Sequence, residues 1–297
     1  MALSRAARRR RAGVRAVAGT VAFSAVVVGG GIGVAAWLGR SDEAPADARC
    51  EAVLDGTSWY LEPDQAETAA LISATSLRRG LPARATTIAI ATGLQESTLR
   101  NIDHGDRDSV GIFQQRPSQG WGTVEQIMDP VYSTNAFYDA LVDVDGYQDL
   151  PVTEAAQAVQ RSGFPDAYAQ HEARARAWAS AMYGYTGAAV TCTLPEPDGA
   201  GDAASVVARV ERDFNGLGAS VPQDGVVQID ASPMAAAPED ADRLAWAVAH
   251  WAVSVASPLD IATVQHGDRT WDRSTGRWVR TEGEPAGAGL VLVTVAS

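Results

Sequence analysis

One carboxylate in this sequence is distinguished by the residues that precede it. Residues 85–95 carry no charged side chain, and Ile88 and Leu94 are among their apolar members. A mostly apolar run of this length predicts a buried helix, and Pro82 is suited to its first turn. Glu96 would end that helix, partly desolvated and near the negative end of the helix dipole, and both effects favour a protonated carboxyl group. A general acid that works near neutral pH needs this environment, so we predict that Glu96 is a catalytic acid.

Two short motifs follow Glu96 along the chain. Residues 111–117 read Gly-Ile-Phe-Gln-Gln-Arg-Pro, and residues 129–135 read Asp-Pro-Val-Tyr-Ser-Thr-Asn. Together with Gln-Glu-Ser at 95–97, they resemble the lysozyme-like superfamily, in particular soluble lytic transglycosylases and goose-type lysozymes. The resemblance covers roughly residues 60–185. It implies a catalytic Glu-Ser pair at the end of a buried helix, followed by a loop that lines a sugar-binding groove.

The resemblance and the residue types together suggest which side chains contact a glycan. Amide and phenol groups would hydrogen-bond sugar hydroxyls, and a tryptophan in a glycine-rich loop would stack on a sugar ring. The predicted substrate-binding residues are Ser97, Gly111, Phe113, Gln114, Gln115, Trp121 and Tyr168. Two positions depart from the family pattern: Phe113 stands where a methionine is usual, and the usual Tyr-Asn-Ala-Gly is absent around Gln160.

The reaction type depends on whether a second carboxylate takes part. An inverting hydrolase needs one ~6.5–9.5 Å from the acid to activate water. Asp103, Asp106 and Asp108 lie on the following loop and are candidates, although loop aspartates also commonly cap backbone N–H groups. In a lytic transglycosylase the single glutamate then acts as the base, and we expect this mechanism for Glu96. The sequence leaves transglycosylase and hydrolase products open.

The N-terminal region predicts a membrane anchor. Residues 1–15 form a basic arm, and residues 16–39 contain no charge. About 20 apolar residues span a bilayer, and arginines remain on the cytoplasmic side. We therefore expect a single-pass plasma-membrane protein with a cytoplasmic N-terminus and an extracytoplasmic body. A cleaved signal peptide is the alternative.

Composition and pattern changes along the remaining chain predict a linker at 40–49, a mainly α domain at 50–193, a second linker at 194–203 and a small α+β domain at 204–297. The resemblance implies that the domain at 50–193 is lysozyme-like and catalytic. The first domain is bracketed by the only two cysteines, Cys50 and Cys192. A single cysteine pair in an extracytoplasmic chain most often forms a disulfide. Two free buried thiols are the alternative.

The charge balance limits the possible partners. The chain has 24 basic residues, all arginine, against 36 acidic ones. An acidic surface argues against nucleic-acid binding. The four histidines show no metal-ligand spacing, so we expect no metal and no cofactor. The predicted function is cleavage of β-1,4 bonds in peptidoglycan glycan strands. The alternative is a non-catalytic envelope protein that uses a lysozyme-like groove for binding or assembly, and no partner of residues 204–297 is identified.

Overall fold

The computed structural model describes residues 48–162, 166–197 and 199–297. The predicted basic arm at 1–15, the apolar segment at 16–39 and nearly all of the linker at 40–49 lie outside these ranges. None of the helices in the described part has the length and apolar composition that a bilayer-spanning segment requires. The predicted single-pass plasma-membrane location is corrected accordingly, as is the membrane helix in the predicted fold class.

A small antiparallel sheet joins the two ends of the first half of the chain. It contains β1 (Arg49–Leu54), β2 (Thr57–Leu61) and β3 (Val190–Thr193) in the order β2-β1-β3. Cys50 lies directly opposite Cys192 in the register of β1 and β3. The predicted disulfide between them is confirmed, and it joins residues that are 142 positions apart.

Six helices lie between β2 and β3 in the described residues. They are α1 (Pro63–Arg78), α2 (Ala83–Ser97), α3 (Val124–Met128), α4 (Pro130–Val142), α5 (Val152–Gln160) and α6 (Glu172–Met182). The helix predicted at 82–96 is α2, displaced by one residue because Pro82 caps it from an extended conformation. Ile88 and Ile90 of this helix and Trp178 of α6 are among the largest fully buried side chains.

The second half combines two helices with a six-stranded antiparallel sheet. The helices are α7 (Ala203–Phe214) and α8 (Asp240–Ser254). The strands are β4 (Ala219–Gln223), β5 (Val226–Asp230), β6 (Ile261–His266), β7 (Arg269–Asp272), β8 (Arg277–Arg280) and β9 (Leu290–Val295). Their order is β4-β5-β9-β6-β7-β8. The alternating pattern of residues 269–281 around Ser274-Thr-Gly276 predicts a hairpin, and β7 and β8 form it.

The predicted fold class is therefore wrong as a whole. Across the described ranges the chain forms eight α-helices and two antiparallel sheets, with one sheet in the half predicted to be mainly α and no membrane-spanning helix. The sequence around each cysteine predicts only a short strand. The sheet was missed because β1 pairs with β3, and a pairing over such a separation leaves no local periodicity.

The two halves pack together through buried polar contacts, and residues 48–297 form one compact unit. Asp213 of α7 is fully buried and accepts hydrogen bonds from Arg209 Nε at 2.9 Å, Arg212 Nε at 2.7 Å and Trp251 Nε1 at 2.9 Å. Arg209 also donates to Glu67 of α1 at 2.9 Å. This network joins α7 to both α1 and α8.

Candidate active site

Glu96 lies in the last turn of α2, where the helix ends in an unusual backbone conformation. Thr98 and Leu99 both have positive φ, at 55° and 61°. Non-glycine residues occupy this region at a cost of roughly 1–2 kcal/mol each, so other contacts must hold the turn. Leu99 is fully buried. Its Cδ2 would lie 2.7 Å from a Cβ at Gly93, so the absence of a side chain at Gly93 is what lets Leu99 pack against the helix.

Ser97 fixes the loop that follows. Its hydroxyl donates to the carbonyl oxygen of Ile112 at 2.7 Å and accepts from the backbone N–H of Arg100 at 3.1 Å. Ser97 is itself buried. This residue was predicted to bind substrate, but its observed contacts instead join the end of α2 to the loop at 109–115.

Tyr168 is the direct partner of Glu96. Its hydroxyl donates to Glu96 Oε1 at 2.7 Å, although the two residues are 72 positions apart. Burial, followed by the neighbouring carboxylate of Glu96, raises the pKa of Tyr168 well above its usual range. The phenol therefore stays protonated and remains a hydrogen-bond donor. Tyr168 is fully buried, whereas Glu96 is only partly buried and reaches solvent.

Gln95, the residue before Glu96, contacts the same segment. Its Oε1 lies 3.1 Å from Gln170 Nε2 and 3.2 Å from His171 Nε2. Burial, with the charge of Arg174, lowers the pKa of His171. The one-turn 3₁₀ helix Ala169–His171 is thus held against the end of α2 by two contacts of the Gln95 side chain. These contacts were not predicted, because nothing local links the two segments.

The loop at 109–115 is tightly built, and much of it faces the interior. Phe113 is fully buried and stacks on Phe137, with ring centroids 4.4 Å apart. Gln115 is also buried and donates to the carbonyl oxygen of Ser133 at 3.1 Å. The Phe113 and Gln115 side chains therefore support the loop from inside and do not face a groove.

Gly111 and Gln114 form the turn of this loop. Both have positive φ, at 80° and 47°. A Cβ at Gly111 would lie 3.0 Å from the carbonyl oxygen of Ile127, so the backbones approach closely there. Gln114 Nε2 donates to the carbonyl oxygens of Gly111 at 3.2 Å and His104 at 3.3 Å. Gln114 thus turns toward the aspartate-rich loop.

The three loop aspartates differ in their surroundings. Asp103 and Asp106 have side chains that are 86% and 89% exposed. Asp108 accepts from Arg116 Nε at 2.8 Å, and from the Ser118 backbone N–H at 2.8 Å and hydroxyl at 3.0 Å. The Arg116 and Ser118 hydrogen bonds hold the pKa of Asp108 far below its usual range. Asp108 therefore ties the loop together, with both its oxygens already occupied.

Trp121 lines a cavity of about 730 Å³ together with Gln160, Arg161 and Asp143. Glu96 does not line it. Gln160 connects the cavity to the loop, because its Nε2 donates to the carbonyl oxygen of Phe113 at 2.7 Å. Gln160 was not among the predicted site residues. Its position where the lysozyme-like family has its Tyr-Asn-Ala-Gly motif was the only sequence signal that could have indicated it.

The structure thus brings Glu96, Tyr168 and the Ser97-anchored loop together, and it places Phe113 and Gln115 in the interior. Within the described ranges, no group of three or more His, Cys, Asp or Glu side chains is arranged to hold a metal ion. No protein-family model matches the chain, and a search of curated proteins finds no match.

Proposed function

We propose that the chain cleaves β-1,4 glycosidic bonds in peptidoglycan glycan strands, with Glu96 as a single acid and base. The resemblance of residues 60–185 to the lysozyme-like superfamily suggests the substrate class. The observation that carries the proposal is the 2.7 Å hydrogen bond from Tyr168 to Glu96, at the half-exposed end of an otherwise buried helix. It holds one carboxylate in a defined orientation, which acid–base catalysis requires.

The hydrogen bond from Tyr168 gives the two carboxylate oxygens of Glu96 different roles. Tyr168 donates to Oε1, while Oε2 has no hydrogen bond to any residue in the described part of the chain. Oε2 would therefore carry the proton that passes to the glycosidic oxygen as the bond to the sugar breaks. The same carboxylate then accepts the proton of the muramic-acid 6-hydroxyl, whose oxygen attacks the anomeric carbon. A 1,6-anhydro ring forms, and no water is consumed.

The loop aspartates support this one-carboxylate mechanism. Activating a water molecule requires a carboxylate oxygen that is free to accept its proton. Both oxygens of Asp108 are engaged by Arg116 and Ser118. Asp103 and Asp106 have largely exposed side chains, whose ion-pair contacts within the described residues are to their sequence neighbours, His104 at 3.1 Å and Arg107 at 3.8 Å.

Turnover of purified glycan strands by the full-length chain tests the proposal. We expect Glu96→Gln to lower the rate at least ~100-fold, because general acid–base catalysis contributes about 10²–10⁴-fold. Glu154→Gln makes the same chemical change at an exposed position of α5 and should leave the rate unchanged. Equal product release by the wild type and Glu96→Gln would refute the catalytic role. Strand binding without turnover in both would favour the non-catalytic alternative.

The products and a second pair of variants test the mechanism. Mass spectrometry separates 1,6-anhydro ends from reducing ends, since hydrolysis adds one water, and we expect anhydro ends. Asp103→Asn and Asp106→Asn should retain wild-type rates. Reducing ends, together with loss of activity in either variant, would show that a second carboxylate activates water.

A further inference from the structure

A separate cavity of about 770 Å³ lies between the small sheet and the β7–β8 hairpin. Side chains alternate across a strand. Arg49 and Glu51 of β1 therefore face this cavity, while Cys50 between them is buried on the other side of the sheet. Arg277 and Trp278 of β8 line it from the hairpin. None of its lining residues belongs to α2 or the loop after it, so the cavity is distinct from the Glu96 site.

Hydrogen bonds between β3 and the hairpin hold the cavity in shape. The Thr191 hydroxyl donates to the carbonyl oxygen of Gly276 at 2.6 Å and accepts from Trp271 Nε1 at 3.0 Å. Trp278 Nε1 donates to the carbonyl oxygen of Val190 at 2.7 Å. The Trp278 ring is thereby fixed in place, so the cavity is formed before any ligand arrives.

The charges that line the cavity are unlike those of the chain as a whole. Three arginines (Arg49, Arg269, Arg277) and two acids (Glu51, Asp268) line it, whereas acidic residues outnumber basic ones by 36 to 24 in the full sequence. Asp268 lies 3.9 Å from Arg269. Across the described part of the chain, Arg49 and Arg277 have no carboxylate within salt-bridge distance. The Arg49 guanidinium lies over the Tyr60 ring, 5.0 Å from its centroid. This stacking leaves the N–H groups of Arg49, like those of Arg277, available to an anion.

Two tryptophans supply an apolar surface beside these charges. Trp246 and Trp278 both line the cavity and are half-buried, with ring centroids 5.2 Å apart. The backbone of Gly187 contacts the Trp246 ring so closely that a Cβ there would lie 2.7 Å from Trp246 Cε2. Indole rings of this kind offer a flat apolar face to a ligand.

We propose that this cavity binds a sugar that carries a carboxylate group. The carboxylate would pair with Arg277 and Arg49, in the charge-assisted geometry that guanidinium groups favour. Glu51 and Thr193, which also line the cavity, would accept hydrogen bonds from the ring hydroxyls, and the ring would lie against Trp278. A simple anion would leave the indole unused, and a neutral sugar would leave both guanidinium groups unpaired. The assignment does not depend on the function proposed for Glu96.

Three ligands separate these possibilities in calorimetric titrations of the full-length chain. N-acetylmuramic acid is N-acetylglucosamine with one added lactyl ether that carries the acid, and lactate is that acid without the ring. We expect N-acetylmuramic acid to bind at least about tenfold more tightly than either of the others, because only it uses both the arginines and the indole. Absence of saturable binding, or equal binding of N-acetylglucosamine or lactate, would overturn the proposal.

Matched variants locate the site. Arg277→Gln and Arg49→Gln should each weaken the binding of N-acetylmuramic acid by about tenfold. Arg176→Gln is the control, since Arg176 lies on α6 with a side chain that is 59% exposed and does not line the cavity. Wild-type affinity in Arg277→Gln and Arg49→Gln, or an equal loss in all three variants, would contradict the site.

A measurement on the wild type covers the case in which a variant fails to fold. In a titration followed by NMR, N-acetylmuramic acid should shift the indole N–H signals of Trp246 and Trp278. The signal of Trp178, which donates to the carbonyl oxygen of Trp59 in the other half of the chain, should stay in place. Unchanged Trp246 and Trp278 signals would exclude binding at this cavity.

Discussion

His250 is fully buried in α8 and makes two hydrogen bonds that require a neutral imidazole. Nε2 accepts from the backbone N–H of Ala189 at 3.0 Å, so the ring hydrogen is on Nδ1, which donates to the carbonyl oxygen of Ala181 at 2.7 Å. Burial lowers the pKa of His250 to about 4; the bond to Ala181 opposes this shift, and the charge of His266 adds to it. Protonation would place a charge in the core and remove the acceptor to which the Ala189 N–H donates.

The difference between the pKa of His250 in the folded chain and in the unfolded chain sets the size and sign of the effect on stability. A histidine in the unfolded chain has a pKa of ~6.5, whereas the pKa of folded His250 is about 4. Between these values the unfolded state binds more protons. The stabilisation is therefore complete above pH ~6.5 and is lost as the pH falls toward ~4. Each pH unit costs at most ~1.4 kcal/mol, which gives a total loss of about 3 kcal/mol in the free energy of unfolding.

Urea unfolding at a series of pH values from roughly 7 to 4 measures this loss. The comparison is between the wild type and His250→Gln, whose amide keeps a donor and an acceptor but does not titrate. Over this range the wild type should lose about 3 kcal/mol more than the variant, and the carboxylates common to both cancel in the difference. His104→Gln, at a side chain that is 80% exposed, should follow the wild type. Parallel curves for the wild type and His250→Gln would refute the reasoning.

Three further predictions concern stability and use thermal or urea unfolding. Asp213→Asn breaks a buried ion pair and should lower the free energy of unfolding by about 3–5 kcal/mol. Arg176→Gln removes an exposed ion pair of the same i,i+4 spacing and should lower it by less than ~1 kcal/mol. Similar losses in the two variants would contradict the prediction. Cys50→Ser removes the disulfide and should lower the free energy of unfolding by about 2–5 kcal/mol. A reductant should destabilise the wild type by a similar amount and leave the variant unchanged. Gly93→Ala forces a Cβ against the buried Leu99 and should lower the free energy of unfolding by roughly 1–3 kcal/mol. Helix propensity alone predicts a gain in stability, and such a gain would show that the turn after Glu96 can relax.

Local patterns predicted the helices well, for a physical reason. The helix that carries Glu96 was expected at 82–96 and is found at Ala83–Ser97. The apolar spacing of Leu244, Val248 and Trp251 also predicts a helix at 238–256, and this helix is found at Asp240–Ser254. Helix hydrogen bonds join residues four apart, so the apolar periodicity and the capping residues that define a helix lie within its own segment.

Sheet pairing was predicted less well. Strand Ala219–Gln223 was missed, because it is mostly exposed and contains a proline, and so lacks an apolar alternation. The sheet around the disulfide was missed as a sheet, since its central strand pairs with a segment about 140 residues away. The orientation of the loop side chains also could not be predicted from the sequence. The aromatic side chain of Phe113 suits a sugar-binding groove and a protein core equally well, and only its stacking on Phe137 decides between the two.

The sequence by itself therefore determined that Glu96 ends an apolar helix, and that Cys50 and Cys192 are the only cysteines that can pair. Tertiary structure decided what surrounds them. It brought Tyr168 to Glu96 across 72 residues, turned Asp108 toward Arg116, and set two arginines and two tryptophans around a cavity between segments that are far apart in the chain. The physical reason is that a side chain's hydrogen-bond partner and exposure depend on which segments pack together, and that packing is a property of the whole chain.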